Sequence, residues 1–230
     1  MIMTAEQFQS LCRFVRSYLE ESAAKNHPDW VKEFPRLAEQ RWQHTLNVLR
    51  NAEKILTGER ASEEQAEIVR AAVILHDVSM FVSEHEVHGE ASAQIAESYL
   101  LESGFPAPFV GRVRRAVAEH GIDLGPLPPE EQGALLSWEG KVVLEADILD
   151  KLGVSAVTNG LLYLVKRGRL PHEFRSGLVQ GSAMERARIF KDYIWTETGR
   201  RLAESRFSFF MAYLDQLEEE VDERAWPFEQ

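Results

Sequence analysis

The stretch AAVILHDVSMF, residues 71–81, runs five apolar residues straight into an imidazole and a carboxylate, His76 and Asp77. Just upstream, Ser62 and Gln65 have the spacing of a capping box, and Val69, Ala72, Val73 and Leu75 follow as the apolar positions of a helix. The segment therefore predicts a helix that ends on His76-Asp77. A solvent-exposed helix end carries such a pair without penalty. In a core, the same two groups are costly unless they are paired or ligated.

The same periodicity recurs on both sides. Phe8, Leu11, Cys12, Val15 and Leu19 form one helical stripe, opened by Thr4 and Gln7 as a second capping box. Leu46, Leu49, Ala52, Ile55 and Leu56 form another, and Gly58 reads as its C-terminal stop. Further helices are expected over about 88–102, 109–120, 138–151, 155–167, 183–197 and 199–223. Residues 121–133, GIDLGPLPPEEQG, read as a Gly/Pro loop. With no convincing alternating strand, internal repeat or linker, the expectation is an all-α, single-domain helical bundle over residues 1–230.

Composition narrows the function classes. The 230 residues are 44% apolar and 27% charged, ordinary for a globular chain with a substantial core. No run approaches the roughly 18 apolar residues of a membrane span, and MIMTAEQFQSLCRF lacks the order of a signal peptide. A single cysteine, Cys12, excludes an internal disulfide and fits a reducing compartment, so a cytoplasmic protein without membrane contact is expected. The net charge of −11 argues against nucleic acid as an obligate partner. That charge is uneven: Thr158–Arg201 holds nine Lys/Arg against four Asp/Glu, a net of +5, leaving −16 on the remainder. The basic segment is either a solvated surface or a phosphate-attracting rim.

Histidines and carboxylates recur near predicted helix ends. His44 sits in RWQHTLNVLRNAEKI, His88 opens HGEASAQIAESYL, His120 closes VRRAVAEHG, and Asp147 lies in LEADILDKLG. Each falls on a different predicted helix, so an antiparallel bundle can bring them to one centre with His76 and Asp77. Neutral imidazoles with carboxylates suit a divalent transition ion such as Mn, Fe, Co, Ni or Zn. Two His and two Asp leave coordination positions for water, which favours a catalytic over a closed structural site.

Together these residues resemble the HD-domain metal-dependent phosphohydrolases. That family's motif is a His, a later adjacent His-Asp pair and a distant Asp, matched here by His44, His76-Asp77 and Asp147. The chain is similar in particular to a bacterial branch of small YpgQ-like and YedJ-like hydrolases. HGEASA, the EH closing an apolar helix, ADILDKLG and the late TETGRRLAESRFSFFMAYLDQLEEE carry that likeness, which spans about residues 40–221. The motif core would occupy about 40–155 and the C-terminal helices about 155–223. One departure follows LDKLG: the branch continues with Gly, Ala, Ile and Arg, whereas this chain reads VSAVTNGLLYLVKRG and lacks the early arginine. Substrate contacts from that segment are not carried over.

The resemblance implies that His44, His76, Asp77 and Asp147 hold one or two divalent ions, with Mg a further option. His88 and His120 would bind a second ion, contact phosphate or act as general acids; the alternative is two surface residues at helix ends. Asp77, with two oxygens, suits a bridge between ions. Asp150, three residues after Asp147 on the same helical face, either orients a ligand or a bound water, or pairs with Lys151. The implied reaction is hydrolysis of a phosphate ester or anhydride of a nucleotide by metal-activated water, with triphosphates, 5′-monophosphates and cyclic nucleotides all open. A di-iron oxygenase and a non-catalytic nucleotide-binding regulatory module are the competing readings. The expected partner is a small phosphorylated molecule, and a homodimer is compatible. Arg41 is read as a surface ion pair or a phosphate contact, and Arg200, Arg201 and Arg206 as partners of Glu197 or Glu204. Trp195, Phe207, Phe209, Phe210 and Tyr213 are read as core, and His27, His85 and His172 as solvated.

Overall fold

The computed structural model describes residues 3–124, 126–170, 173–180 and 191–221. Among these the elements are α1 (Ala5–Asn26), α2 (Pro28–Glu33), α3 (Leu37–Gly58), α4 (Glu63–Leu75), α5 (His88–Glu102), α6 (Ala107–His120), α7 (Pro129–Leu135), α8 (Trp138–Asp150), α9 (Val154–Lys166), α10 (Phe174–Gln180) and α11 (Glu197–Val221). No strand occurs among the described residues, so the fold is all-α as expected. Both capping boxes form: Thr4 and Gln7 open α1, and Ser62 and Gln65 open α4. No single described helix is long and apolar enough to cross a membrane.

Two helices are buried on nearly every side. Ile68 to Leu75 of α4 are buried apart from Arg70, and α8 exposes little beyond Trp138 and Lys141. A helix that is apolar all round must lie inside, and α3, α6 and α8 close around α4 accordingly. The amphipathic α1 covers α3 and α4, α5 pairs with α6, and α11 lies over α8, α9 and α3. One contiguous core runs from Leu11 on α1 to Leu214 on α11.

Glu145 explains how α11 is fixed to this core. It is fully buried in the middle of α8, yet its carboxylate accepts from the amides of Trp195 and Thr196 at 2.6 and 2.8 Å and from the Thr196 hydroxyl at 2.5 Å. Thr196 in turn caps the Gly199 amide at 3.0 Å. Burial raises the Glu145 pKa, and these donors oppose the rise. Further along α11, Arg206 donates to the Leu149 carbonyl and, at 2.7 Å, to Asn51 Oδ1, while Asn51 Nδ2 donates to the Ala146 carbonyl at 3.0 Å.

Several expectations change. Gly58 does not end α3 through a left-handed conformation; Arg60 takes that role with φ 53°. Gly58 is needed because a Cβ there would collide with the Thr198 side chain at the start of α11. The Gly/Pro loop becomes helix at Pro129, where proline loses no hydrogen bond at the first helical position and Glu130 and Glu131 fill the first turn. The helix expected over 183–197 falls mostly outside the described residues. Its described end is not helical past Asp192, because Glu145 draws the Trp195 and Thr196 amides to itself. Arg206 serves carbonyl and amide oxygens rather than Glu197 or Glu204. Phe210 is core, whereas Phe209 is 45% exposed. His27 stacks on Trp30 with ring centroids 4.4 Å apart, while His172 lies outside the described residues.

Candidate metal centre

Five helices deliver the candidate residues to one place. His44 comes from the first half of α3, His76 caps the end of α4, His88 opens α5, His120 closes α6, and Asp147 and Asp150 sit on the last turn of α8. The chain turns just after α4, which brings Asp77 into the same cluster. Helix ends suit this purpose, because their unpaired carbonyls can hold an imidazole by its Nδ1.

That is what the histidines do. His76 Nδ1 lies 2.7 Å from the Val73 carbonyl, and His120 Nδ1 bonds the Val117 carbonyl three residues back. His44 Nδ1 lies 2.7 Å from Asp150 Oδ2. Carbonyl and carboxylate oxygens only accept, so each Nδ1 carries a proton and each Nε2 is turned inward, where its lone pair can serve an ion. His44 Nε2 is 3.3 Å from Asp147 Oδ1, 3.5 Å from Asp77 Oδ2 and 3.4 Å from His76 Nε2. His76 Nε2 is 3.5 Å from the same Asp77 oxygen. The other Asp77 oxygen, Oδ1, faces His120 Nε2 at 3.6 Å and His88 Nε2 at 3.7 Å.

The donors thus form two groups that share Asp77, one with His44 and His76, the other with His88 and His120, and each is compact enough to hold a metal ion. Two further details fit a cation. His120 Nε2 and Asp147 Oδ1 are buried with no hydrogen-bond partner, although such atoms are normally satisfied. The paired Nε2 lone pairs of His44 and His76 would repel each other unless positive charge lies between them. In the metal-free protein a proton supplies it. Burial works to lower the His44 pKa, but Asp147, Asp150 and Asp77 outweigh it and raise it to about 11. His76, wholly enclosed, is pushed down by burial to about 4. Burial also penalises the Asp77 and Asp147 carboxylates, yet the surrounding imidazoles, with Arg41 beside Asp77 and Lys151 beside Asp147, hold both well below the usual range.

Small residues make the second group possible. Gly89 and Gly121 sit back to back, and a Cβ on Gly121 would lie 2.7 Å from the Gly89 Cα. This contact lets the start of α5 meet the end of α6, with the His88 and His120 rings 5.0 Å apart. Ser79 Oγ lies 2.9 Å from the His88 carbonyl and from Ser92 Oγ, tying the turn after Asp77 to α5.

The structure brings together all of His44, His76, Asp77, His88, His120 and Asp147, with Asp150 behind His44. Asp150 turns to His44, not to Lys151; Lys151 Nζ pairs with Asp147 Oδ2 at 2.5 Å. Arg41 is no surface pair. Its Nη1 lies 2.8 Å from Asp77 Oδ2, a role signalled only by its position one turn before His44. The basic segment is partly used locally, with Lys166 over the Phe34 ring, Arg167 over Tyr163 and Arg169 on Glu173.

Known proteins share this helical fold. The HD domain family matches residues 41–152, from Arg41 to just past Asp150. By sequence the chain is 27% identical to Bacillus subtilis YpgQ over 189 residues, 78% of this chain and 83% of that protein. The crystal structure of YpgQ in complex with ADP superposes with a TM-score of 0.61 and 21% identity, covering 93% of this chain and 96% of YpgQ. An HD-superfamily hydrolase from Bacillus thuringiensis superposes with a TM-score of 0.65 and 20% identity, covering 93% and 97%. Residues 41–152 thus match the HD domain, and the chain has the helical fold of these HD-superfamily structures.

Proposed function

We propose that the protein is a metal-dependent phosphohydrolase that cleaves a phosphate ester or anhydride of a nucleotide. The observation that carries this reading is the convergence of the His44, His76 and His120 Nε2 atoms, each freed by an Nδ1–H bond, on Asp77 and Asp147. Burying lone pairs beside carboxylates is unfavourable without a cation among them. In this reading His44, His76, Asp77 and Asp147 hold one ion, and Asp77, His88 and His120 hold a second. The mixed nitrogen and oxygen donors suit Mn, Fe, Co, Ni or Zn. When bound, the ions would lower the pKa of water and offset charge on the phosphoryl oxygens.

The chain's own groups would do the rest. Asp150 keeps His44 in the tautomer that presents Nε2. Arg41 and Lys151, now on Asp77 and Asp147, would turn to phosphate oxygens once those carboxylates are otherwise neutralised. His88 and His120 would act at the second ion or, with one ion bound, donate to the phosphate or leaving oxygen. The ADP held by YpgQ supports a nucleotide as substrate class. Lone Cys12 fits a cytoplasmic enzyme.

The test is metal analysis of the purified protein, followed by a Mn²⁺-supplemented screen of nucleoside monophosphates, triphosphates and cyclic nucleotides for phosphate and pyrophosphate release. Asp77→Ala, run alongside, should stay folded and lose both metal and turnover. A variant retaining wild-type metal and rate would end the proposal. So would an iron-loaded wild type that consumes oxygen and releases no phosphate.

A further inference from the structure

Behind Asp150, α3, the α8–α9 turn and α11 line an open cavity of about 350 Å³. Of the residues that gather at the metal centre, only Asp150 reaches its wall. The wall is otherwise rich in donors: Asn47, Arg50 and Lys54 from α3, Ser155 from α9, and Arg206 from α11, with the exposed ring of Phe209 beside them. Arg50 donates to Asn47 at 3.2 Å, and neither Arg50 nor Lys54 meets a carboxylate among the described residues. Arg206 commits Nη1 and Nη2 to Leu149 and Asn51, but a guanidinium has five N–H donors and some are left. α9 begins here on Gly153, with φ 69° and no side-chain cap, so its first amides add the positive end of a helix to the wall.

The charge balance decides what fits. Three cations and a helix N-terminus face one carboxylate, and Asp150 is already engaged by His44 at 2.7 Å and Ser155 at 3.2 Å. The result is a locally positive cavity in a chain of net charge −11. Its volume lies in the range of small-molecule sites, roughly 300–1,000 Å³, more than a bare phosphate fills. The Phe209 ring offers a flat apolar surface next to the cations.

We propose that this cavity is a second anion site, which binds a phosphate-bearing small molecule through Arg50, Lys54 and the start of α9, separately from the metal centre. Its position gives it a route to that centre. An occupant that recruits the Ser155 hydroxyl alters the hydrogen bonding of Asp150, the carboxylate that orients His44.

The experiment uses the full chain stripped of metal with a chelator, titrated calorimetrically with inorganic pyrophosphate and with ADP. Without metal, the imidazole cluster lacks the ions proposed to hold phosphate there, and Asp77→Asn reports any binding that remains at that cluster. One equivalent of ADP should bind, and Arg50→Gln with Lys54→Gln should weaken it at least tenfold. Asp77→Asn should leave it unchanged. Both changed cations are exposed and, among the described residues, bear no structural partner beyond Asn47, so the double variant should fold. Absence of binding to the metal-free chain overturns the proposal. Binding that survives the double variant, or that disappears in Asp77→Asn, overturns it equally, and none of these outcomes bears on phosphohydrolysis.

Discussion

Replacing Asp150 tests how far His44 depends on the carboxylate behind it. Asp150 Oδ2 accepts the His44 Nδ1 proton at 2.7 Å, on a side chain only 10% exposed. A hydrogen bond to a charged partner contributes about 1.5–3 kcal/mol net, and a neutral one about 1. Asn keeps a carbonyl oxygen for Nδ1–H and loses the charge, so Asp150→Asn should weaken metal binding by about 1 kcal/mol. Asp150→Ala removes the acceptor and should weaken it by about 2–3 kcal/mol. At 1.4 kcal/mol per tenfold, these are about fivefold and roughly 30- to 140-fold losses in affinity, the second comparable to the roughly 10- to 100-fold known for such supporting residues. Competition titration against a metal-sensitive dye measures both, with circular dichroism confirming the fold. An Ala variant that binds metal as tightly as wild type, or an Asn variant weaker than Ala, would refute the reasoning.

His120→Ala should lower bound metal from about two equivalents toward one and slow turnover by about 100-fold, as loss of transition-state charge stabilisation does; elemental analysis beside kinetics checks both. Gly121→Ala should force α5 and α6 apart, because the φ of −89° tolerates any residue while the new Cβ would lie 2.7 Å from the Gly89 Cα. An overpacking cost of about 1–3 kcal/mol corresponds to a melting temperature lower by roughly 2–12 °C, read by thermal denaturation. Metal entry at pH 7 should release about one proton, since His44 holds one with a pKa raised to about 11 while His76 is already neutral. Calorimetry in buffers of different ionisation enthalpy counts it. In the metal-free protein, the His44 proton contributes stability fully below its ordinary 6.5, lost as pH rises through about 11. The depressed His76 gives the reverse, a contribution present above 6.5 and lost as pH falls toward 4.

The helices were legible wherever local chemistry set them. Both capping boxes, the apolar stripe ending at His76, and the span from His88 to Glu102 follow from residues a few positions apart. The candidate cluster was legible because polar groups after an apolar run stand out against the penalty of burying them. Long-range partners were not. Nothing near Gly58 announces Thr198, nothing near Glu145 announces the amides of Trp195 and Thr196, and Arg206 finds its acceptors more than fifty residues away. The buried partner of Arg41, Asp77, was hidden for a related reason: ion-pair geometry depends on which helix end faces it, and spacing along one helix does not reveal that.

The clamp between α8 and α11 bears on where this protein can be cut. The HD domain match stops at residue 152, which invites expression of that segment alone. Yet Glu145 is fully buried and spends both carboxylate oxygens on residues 195 and 196, and Asn51 and the Leu149 carbonyl share Arg206. Removing the C-terminal helix would leave a carboxylate stranded in an apolar helix, two turns or less from Asp147 and Asp150. Each such orphan costs about 1–3 kcal/mol or more, against a total stability of only about 5–15 kcal/mol. The family-matched segment and the cooperative folding unit therefore have different ends: the recognisable chemistry stops at 152, while the chain that can hold it in place runs on through α11.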